Sequence, residues 1–213
     1  MKSPDTYLLT YGNLVTPERI EQFIAEGSGR EHVAYDDESS SLTVHGERVR
    51  PVTVHGYGRD VSHVITDELV AESDRFDHDS ALDMIREDYP DAENRGGLTI
   101  YRDPGSRINA VLFPVTASDR RLYERMEVGY QLEEVPASQI EPWPGEPGSG
   151  ALAAVSRNRG SPAPIRDYLR ECAASWDVWG EAERFLHTTY IGSENLYEWA
   201  KENYGALLEQ SVE

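Results

Sequence analysis

Apolar and polar positions alternate in two rhythms along the chain. Tyr7-Leu8-Leu9-Thr10-Tyr11 is a short apolar run, the pattern of a strand buried on both faces. Gly12-Asn13-Leu14 breaks it. Thr16 then stands where a helix N-cap belongs and Pro17 at the first helical position. Ile20, Phe23 and Ile24 fall on one face of a helix over residues 18–25, and Gly27 ends it. Residues 41–45 and 49–55 alternate as strands do, with Gly46 between them and Pro51 marking an edge or bulge. Residues 98–101 and 108–115 predict two more strands joined by a turn at Asp103-Pro104-Gly105-Ser106. Ser118 is placed to cap a short helix, Gly129 punctuates, and residues 131–135 predict a short strand.

The second half of the chain changes rhythm. Residues 142–150 hold Pro142, Pro144, Pro147, Gly145, Gly148 and Gly150, the composition of a linker or extended loop. Residues 165–173, 181–188 and 195–208 then show helical spacing, with Ser193 as a cap for the last. Tyr168, Trp176, Trp179, Phe185, Tyr197 and Trp199 supply the apolar faces of these helices and read as core packing. The final helix is expected to pack on the core or on a second subunit, so a homo-oligomer is compatible with the pattern. The expected organisation is a core over 1–141, a Pro/Gly-rich linker over 142–163 and a helical C-terminal extension over 164–213.

Composition adds a strong constraint. The 213 residues carry 39 acidic and 20 basic side chains, a formal net charge of −19. Lys2 and Lys201 are the only lysines; the other cations are arginines. Acid excess with lysine depletion suits a protein of a salt-loaded, halophilic cytoplasm, where the Debye length shrinks to about 3 Å at molar salt and self-repulsion is screened. Disorder is disfavoured by 38% apolar content with twelve Tyr, four Trp and four Phe. Much of the acid lies in residues 67–94, where Ser80 could cap a helix over 81–88. Asp77-His78-Asp79 lacks the frame of a calcium loop, so this stretch reads as a solvated acidic face.

The same charge excludes several functions. Nucleic acid needs a basic patch, and none of useful size is present; an anionic membrane is disfavoured for the same reason. No apolar run approaches the roughly 20 residues that span a bilayer, and residues 1–5 lack a signal peptide's apolar core. A cytoplasmic location is expected. Cys172 is the single cysteine, so no internal disulfide is expected, and its alanine neighbours suggest a small core residue. The six histidines form no metal-ligand spacing, and there is neither a glycine-rich phosphate loop nor a Gly-x-Ser-x-Gly elbow. No metal and no cofactor are expected.

Two short stretches carry candidate chemistry. Tyr11-Gly12-Asn13-Leu14 joins the first strand to the first helix. A glycine there permits close backbone approach, and amides freed at such a junction bind carboxylates. Glu127 falls at a helix end just before a strand, where a carboxylate can either enter a cleft or remain an ordinary solvated group. The run Tyr123-Glu124-Arg125-Met126-Glu127 followed by Gly129-Tyr130, together with Tyr11-Gly12-Asn13-Leu14, resembles the signatures of the gamma-glutamylcyclotransferase-like family. The order strand, turn, strand, short helix, glutamate, strand is also similar. The resemblance spans roughly residues 7–135. It departs where the family's leucine and aspartate are Tyr123 and Glu124, where Gly129 lies two residues beyond the glutamate, and where Asn13 replaces a small hydroxyl residue.

The resemblance implies an α+β fold, a small mixed β-barrel with flanking helices. It implies intramolecular acyl transfer on a small-molecule gamma-glutamyl substrate, releasing 5-oxoproline without a cofactor. Glu127 would be the catalytic acid/base, its pKa raised by a partly apolar pocket. Tyr11, Gly12, Asn13, Leu14 and Tyr130 would bind substrate, and Tyr168 is a weaker counterpart of a pocket-lining tyrosine. The departures leave a second reading, in which the fold is retained as a non-catalytic binding or assembly module.

Overall fold

The computed structural model describes residues 6–36, 41–66, 68, 95–127, 129–145 and 149–208. The acidic stretch expected to hold a helix over 81–88 lies outside the described residues.

The first apolar run forms strand β1 (Thr6–Thr10), with Leu8 and Leu9 fully buried. Helix α1 (Pro17–Gly27) follows, capped by the Thr16 hydroxyl, which accepts from the Arg19 N–H at 3.3 Å. Ile20, Phe23 and Ile24 are its buried face, as the spacing predicts. A small separate sheet comes next, from β2 (Val33–Asp36), β3 (Ser41–Val44) and β4 (Glu47–Arg48). Two long strands then make the spine of the fold, β5 (Arg50–Ile65) and β6 (Arg95–Val115), paired antiparallel.

The turn expected at Asp103–Ser106 does not divide β6 into a hairpin. Both flanks of that stretch pair with β5, His55 opposite Arg107 and Tyr57 opposite Arg102, so the extra residues bulge out of one continuous strand. The turn chemistry is present but local: the Gly105 N–H donates to Asp103 Oδ1 at 3.2 Å and the Ser106 hydroxyl to Asp103 Oδ2 at 2.5 Å.

The cap of helix α2 (Ala117–Met126) lies two residues earlier than expected. Thr116 rather than Ser118 is the N-cap, in a capping box closed by the Asp119 carboxylate on the Thr116 N–H at 2.8 Å. Ser118 donates instead to the Gly27 carbonyl at 2.7 Å, joining α2 to the end of α1. Phe23 lies edge-on to both Phe113 and Tyr123, which binds α1 to β6 and to α2.

Strands β7 (Tyr130–Pro136), β8 (Ile140–Glu141) and β9 (Gly150–Ser156) follow. The stretch expected as a linker over 142–163 thus carries β9, which pairs parallel with β1 and antiparallel with β7. The remainder comprises β10 (Ala163–Pro164), α3 (Arg166–Asp177), α4 (Ala182–Thr188), β11 (Thr189–Ile191), β12 (Glu194–Asn195) and α5 (Leu196–Asn203), with Asn195 rather than Ser193 as the cap of α5. The C-terminal part is more than helical: β11 joins the main sheet beside β5, with Thr189 opposite Arg59.

The architecture is mixed α+β, with five helices around one large sheet among the described residues. The expected closed barrel is not formed. The sheet runs β12–β11–β5–β6–β1–β9–β7, and its end strands do not pair with each other. It curls without closing. Register shifts at His55/Tyr57 and Asp60/His63 bend the β5–β6 ribbon, and its far end reaches β9 and β7 through side chains. The Tyr130 hydroxyl donates to the Leu98 carbonyl at 2.6 Å and the Ser156 N–H to Thr99 Oγ1 at 2.9 Å. Among the described residues no helix is long and apolar enough to cross a membrane.

Candidate active site

The two stretches singled out in the sequence meet where β1 ends. Tyr11 is buried, with its hydroxyl donating to the Ala154 carbonyl on β9. Its carbonyl accepts from Arg59 Nη1 at 3.2 Å. Gly12, Asn13 and Leu14 then turn the chain, partly exposed, before Val15 is buried again. Gly12 is held close to α3: a Cβ there would lie 3.0 Å from the Tyr168 hydroxyl. A side chain at position 12 would press directly on that phenol.

Glu127 caps the end of α2, its N–H donating to the Tyr123 carbonyl at 3.0 Å. Its own carbonyl accepts from the Tyr130 N–H at 3.1 Å, across a turn that needs Gly129 at φ +80°. This turn carries the chain directly from the helix end into β7. Tyr123 lies one helical turn before Glu127, and its buried hydroxyl is hydrogen-bonded to the Glu127 carboxylate.

Four tyrosines from four elements converge here: Tyr11 after β1, Tyr123 on α2, Tyr130 on β7 and Tyr168 on α3. In each, burial raises the phenol pKa, and the charge of Glu127 raises it further. The Tyr168 hydroxyl donates to Cys172 one helical turn on, where burial pushes the thiol up to about 12. Near neutral pH these phenols and the thiol keep their protons. Tyr11 and Tyr130 donate their O–H groups to the Ala154 and Leu98 carbonyls and Tyr168 to Cys172, while Tyr123 pairs with Glu127, which leaves the Glu127 carboxylate as the group in this cluster suited to take a proton.

Beneath the site lies Arg59, on β5 just after Gly56-Tyr57-Gly58. It is fully buried, and burial lowers its pKa to about 9. Its donors reach the Tyr11 carbonyl, the Asn109 carbonyl and side chain, the Phe185 carbonyl, Thr188 and Thr189. Its guanidinium also lies 4.3 Å from the Phe185 ring centroid. Arg59 therefore ties the end of β1 to β6, α4 and β11. The Gly-Tyr-Gly-Arg run gave no sign of burial, because an arginine beside two glycines ordinarily faces water.

His63 supports the opposite wall. It is 2% exposed, its ring lies 4.0 Å from that of Tyr130, and Nδ1 is 2.8 Å from Ser156 Oγ. Burial lowers its pKa to about 4, so it is neutral at neutral pH.

Elsewhere, Ser28, His45 and Asp119 come together, at 3.3 Å and 3.0 Å. Both contacts use His45 Nε2, so the imidazole cannot relay a proton between them as in a catalytic triad. Among the described residues no group of three or more His, Cys, Asp and Glu side chains is arranged to hold a metal ion.

The arrangement of strands and helices has close parallels among solved structures. One, described as a gamma-glutamyl cyclotransferase, superposes with a TM-score of 0.50 over 94% of this chain and 98% of that one, at 12% identity. The fold is gamma-glutamyl cyclotransferase-like. An uncharacterized human protein superposes equally well, with a TM-score of 0.51, the same coverage and 12% identity. No family sequence model and no curated protein matches the chain. At such identity the likeness to gamma-glutamyl cyclotransferase is one of fold, and the chemistry has to be argued from the residues above.

Proposed function

We propose that this protein is a gamma-glutamyl cyclotransferase-type enzyme acting on a gamma-glutamyl amino acid or amine. The observation that carries the reading is the placement of the Glu127 carboxylate within a ring of four protonated tyrosines, beside the Tyr11–Leu14 loop. The gamma-glutamyl cyclotransferase-like fold supports it.

In the proposed reaction Glu127 takes a proton from the substrate's α-ammonium group. The freed amine attacks the gamma-carbonyl carbon of the same molecule and forms the new C–N bond. Glu127 passes that proton to the leaving nitrogen as the oxyanion collapses and the bond to that nitrogen breaks; the attacking nitrogen gives up its second proton through the same carboxylate to the departing amine, which leaves as an ammonium. The products are 5-oxoproline and an amine or amino acid, with no change of oxidation state. The N–H groups of Gly12, Asn13 and Leu14 hold the substrate carboxylate and the developing oxyanion, Tyr11 fixes the loop, and Tyr130 packs on the substrate. Because nucleophile and electrophile share one molecule, positioning supplies much of the acceleration.

The test is release of 5-oxoproline from a panel of gamma-glutamyl amino acids and amines in molar potassium chloride. Glu127→Gln should lower turnover by about 10²–10⁴-fold, the usual contribution of a positioned acid/base, with its thermal midpoint kept. Turnover that survives in the folded variant would remove Glu127 from the mechanism.

A further inference from the structure

The loop proposed to bind substrate is fixed at both ends, and the second anchor comes from a distant part of the chain. At its start the Tyr11 carbonyl accepts from Arg59 Nη1 at 3.2 Å. In a trans peptide the C=O and the next N–H point in opposite directions. Drawing the Tyr11 carbonyl onto the buried guanidinium therefore turns the Gly12 N–H away from it. At the end of the loop the Val15 carbonyl accepts from the Trp179 indole N–H at 2.7 Å.

That carbonyl has no role in α1. Thr16 is the N-cap, and the first intrahelical bond runs from Ile20 N to the Thr16 carbonyl. The Val15–Thr16 peptide plane is thus free of helical constraint and takes its direction from Trp179. Trp179 is itself held in the turn that closes α3. Its backbone N–H donates to the Trp176 carbonyl at 3.1 Å, and the Gly180 N–H donates to the Asp177 carbonyl at 2.8 Å. An Arg19–Glu171 ion pair joins α1 to α3 on the same side.

We infer that Trp179 is a positioning residue for substrate binding, clamping the Val15 carbonyl so that Gly12, Asn13 and Leu14 are strung between two fixed peptide planes. This inference rests on the proposed cyclotransferase reading. Trp179 touches neither substrate nor Glu127 in this account; it acts through the loop. Its aromatic character marks it in the sequence as core packing, whereas its N–H carries the information.

Trp179→Phe keeps a ring and removes the donor. Val178→Ala, in the same turn at an exposed position, is the control. Amide hydrogen exchange over residues 11–16 of the full-length, ligand-free protein reads the clamp. Trp179→Phe should speed exchange there by about five- to tenfold, the worth of one hydrogen bond, while the control matches wild type. Kinetics with the best gamma-glutamyl substrate read the consequence. KM should rise by about five- to tenfold, with the pH profile of kcat retained since Glu127 is untouched.

Unchanged exchange in Trp179→Phe overturns the clamp. Faster exchange with unchanged KM overturns the positioning role and leaves a structural hydrogen bond. A wild type that releases no 5-oxoproline from any member of the panel overturns the cyclotransferase reading and the substrate-positioning role built on it, while the exchange measurement still decides whether Trp179 holds the loop.

Discussion

Replacing His63 with Asn tests the wall behind Tyr130 and has a magnitude that follows from the structure. His63 is nearly inaccessible, and burial lowers its pKa from 6.5 to about 4. Between those values an unfolded chain takes up a proton that the folded protein refuses. The unfolded state then binds more protons, so stability is present above pH 6.5 and is lost as pH falls toward 4. The full shift corresponds to about 3 kcal/mol, and about 2.5 kcal/mol of it is lost by pH 4.5. Asn keeps an amide near Nδ1 for Ser156, 2.8 Å away in the wild type, and does not titrate. The variant should be less stable at pH 7.5 because the stacking on Tyr130 is gone. From pH 7.5 to 4.5 it should lose about 2.5 kcal/mol less than wild type, the carboxylates being common to both. Urea unfolding followed by tryptophan fluorescence at constant high salt gives both numbers, provided the transitions are two-state. Equal losses in the two proteins would refute the reasoning and would mean that water reaches the ring.

Two further predictions concern the tyrosines. Tyr123→Phe removes the hydroxyl that binds the Glu127 carboxylate. Because that bond favours the charged form, the acidic limb of the kcat/KM profile should move to higher pH, and an unmoved limb would detach Tyr123 from the chemistry. Gly12→Ala should destabilise the protein by about 1–3 kcal/mol, since the new methyl group would meet the Tyr168 hydroxyl at 3.0 Å. In a Tyr168→Phe background the same substitution should cost clearly less, and a purely additive double-mutant cycle would contradict the contact.

The pieces of the site legible in the sequence were those marked by backbone chemistry. Gly12 and Gly129 punctuate strand and helix ends, and punctuation is local, so Tyr11–Leu14 and the Glu127–Tyr130 corner could be placed before any fold was known. The supporting residues depend on long-range contacts. Arg59 reaches partners at 109 and 185–189, and Trp179 reaches Val15, separations that periodicity does not see. Strand β6 shows the opposite error. Asp103-Pro104-Gly105-Ser106 has strong turn chemistry, yet pairing with β5 on both sides makes it a bulge. A barrel is what the resemblance implies, and the bends that leave the sheet curled but open arise from register shifts that only the paired strands reveal.

The position of β1 has a consequence for how the chain assembles. It is a central strand, with β6 on one side and β9 on the other, and β9 runs parallel to it. Its partners lie at Val111–Val115 and at Ala151 and Leu152, so this early apolar segment has no ladder until roughly a hundred further residues have been synthesised. Contacts of such sequence separation fold slowly and expose a strand edge to aggregation meanwhile. The β5–β6 ribbon can zip without β1, which makes it the natural nucleus. Yield in a foreign host should therefore be governed by how long β1 waits on the ribosome, through chaperone supply and translation rate, more than by the equilibrium stability of the finished protein.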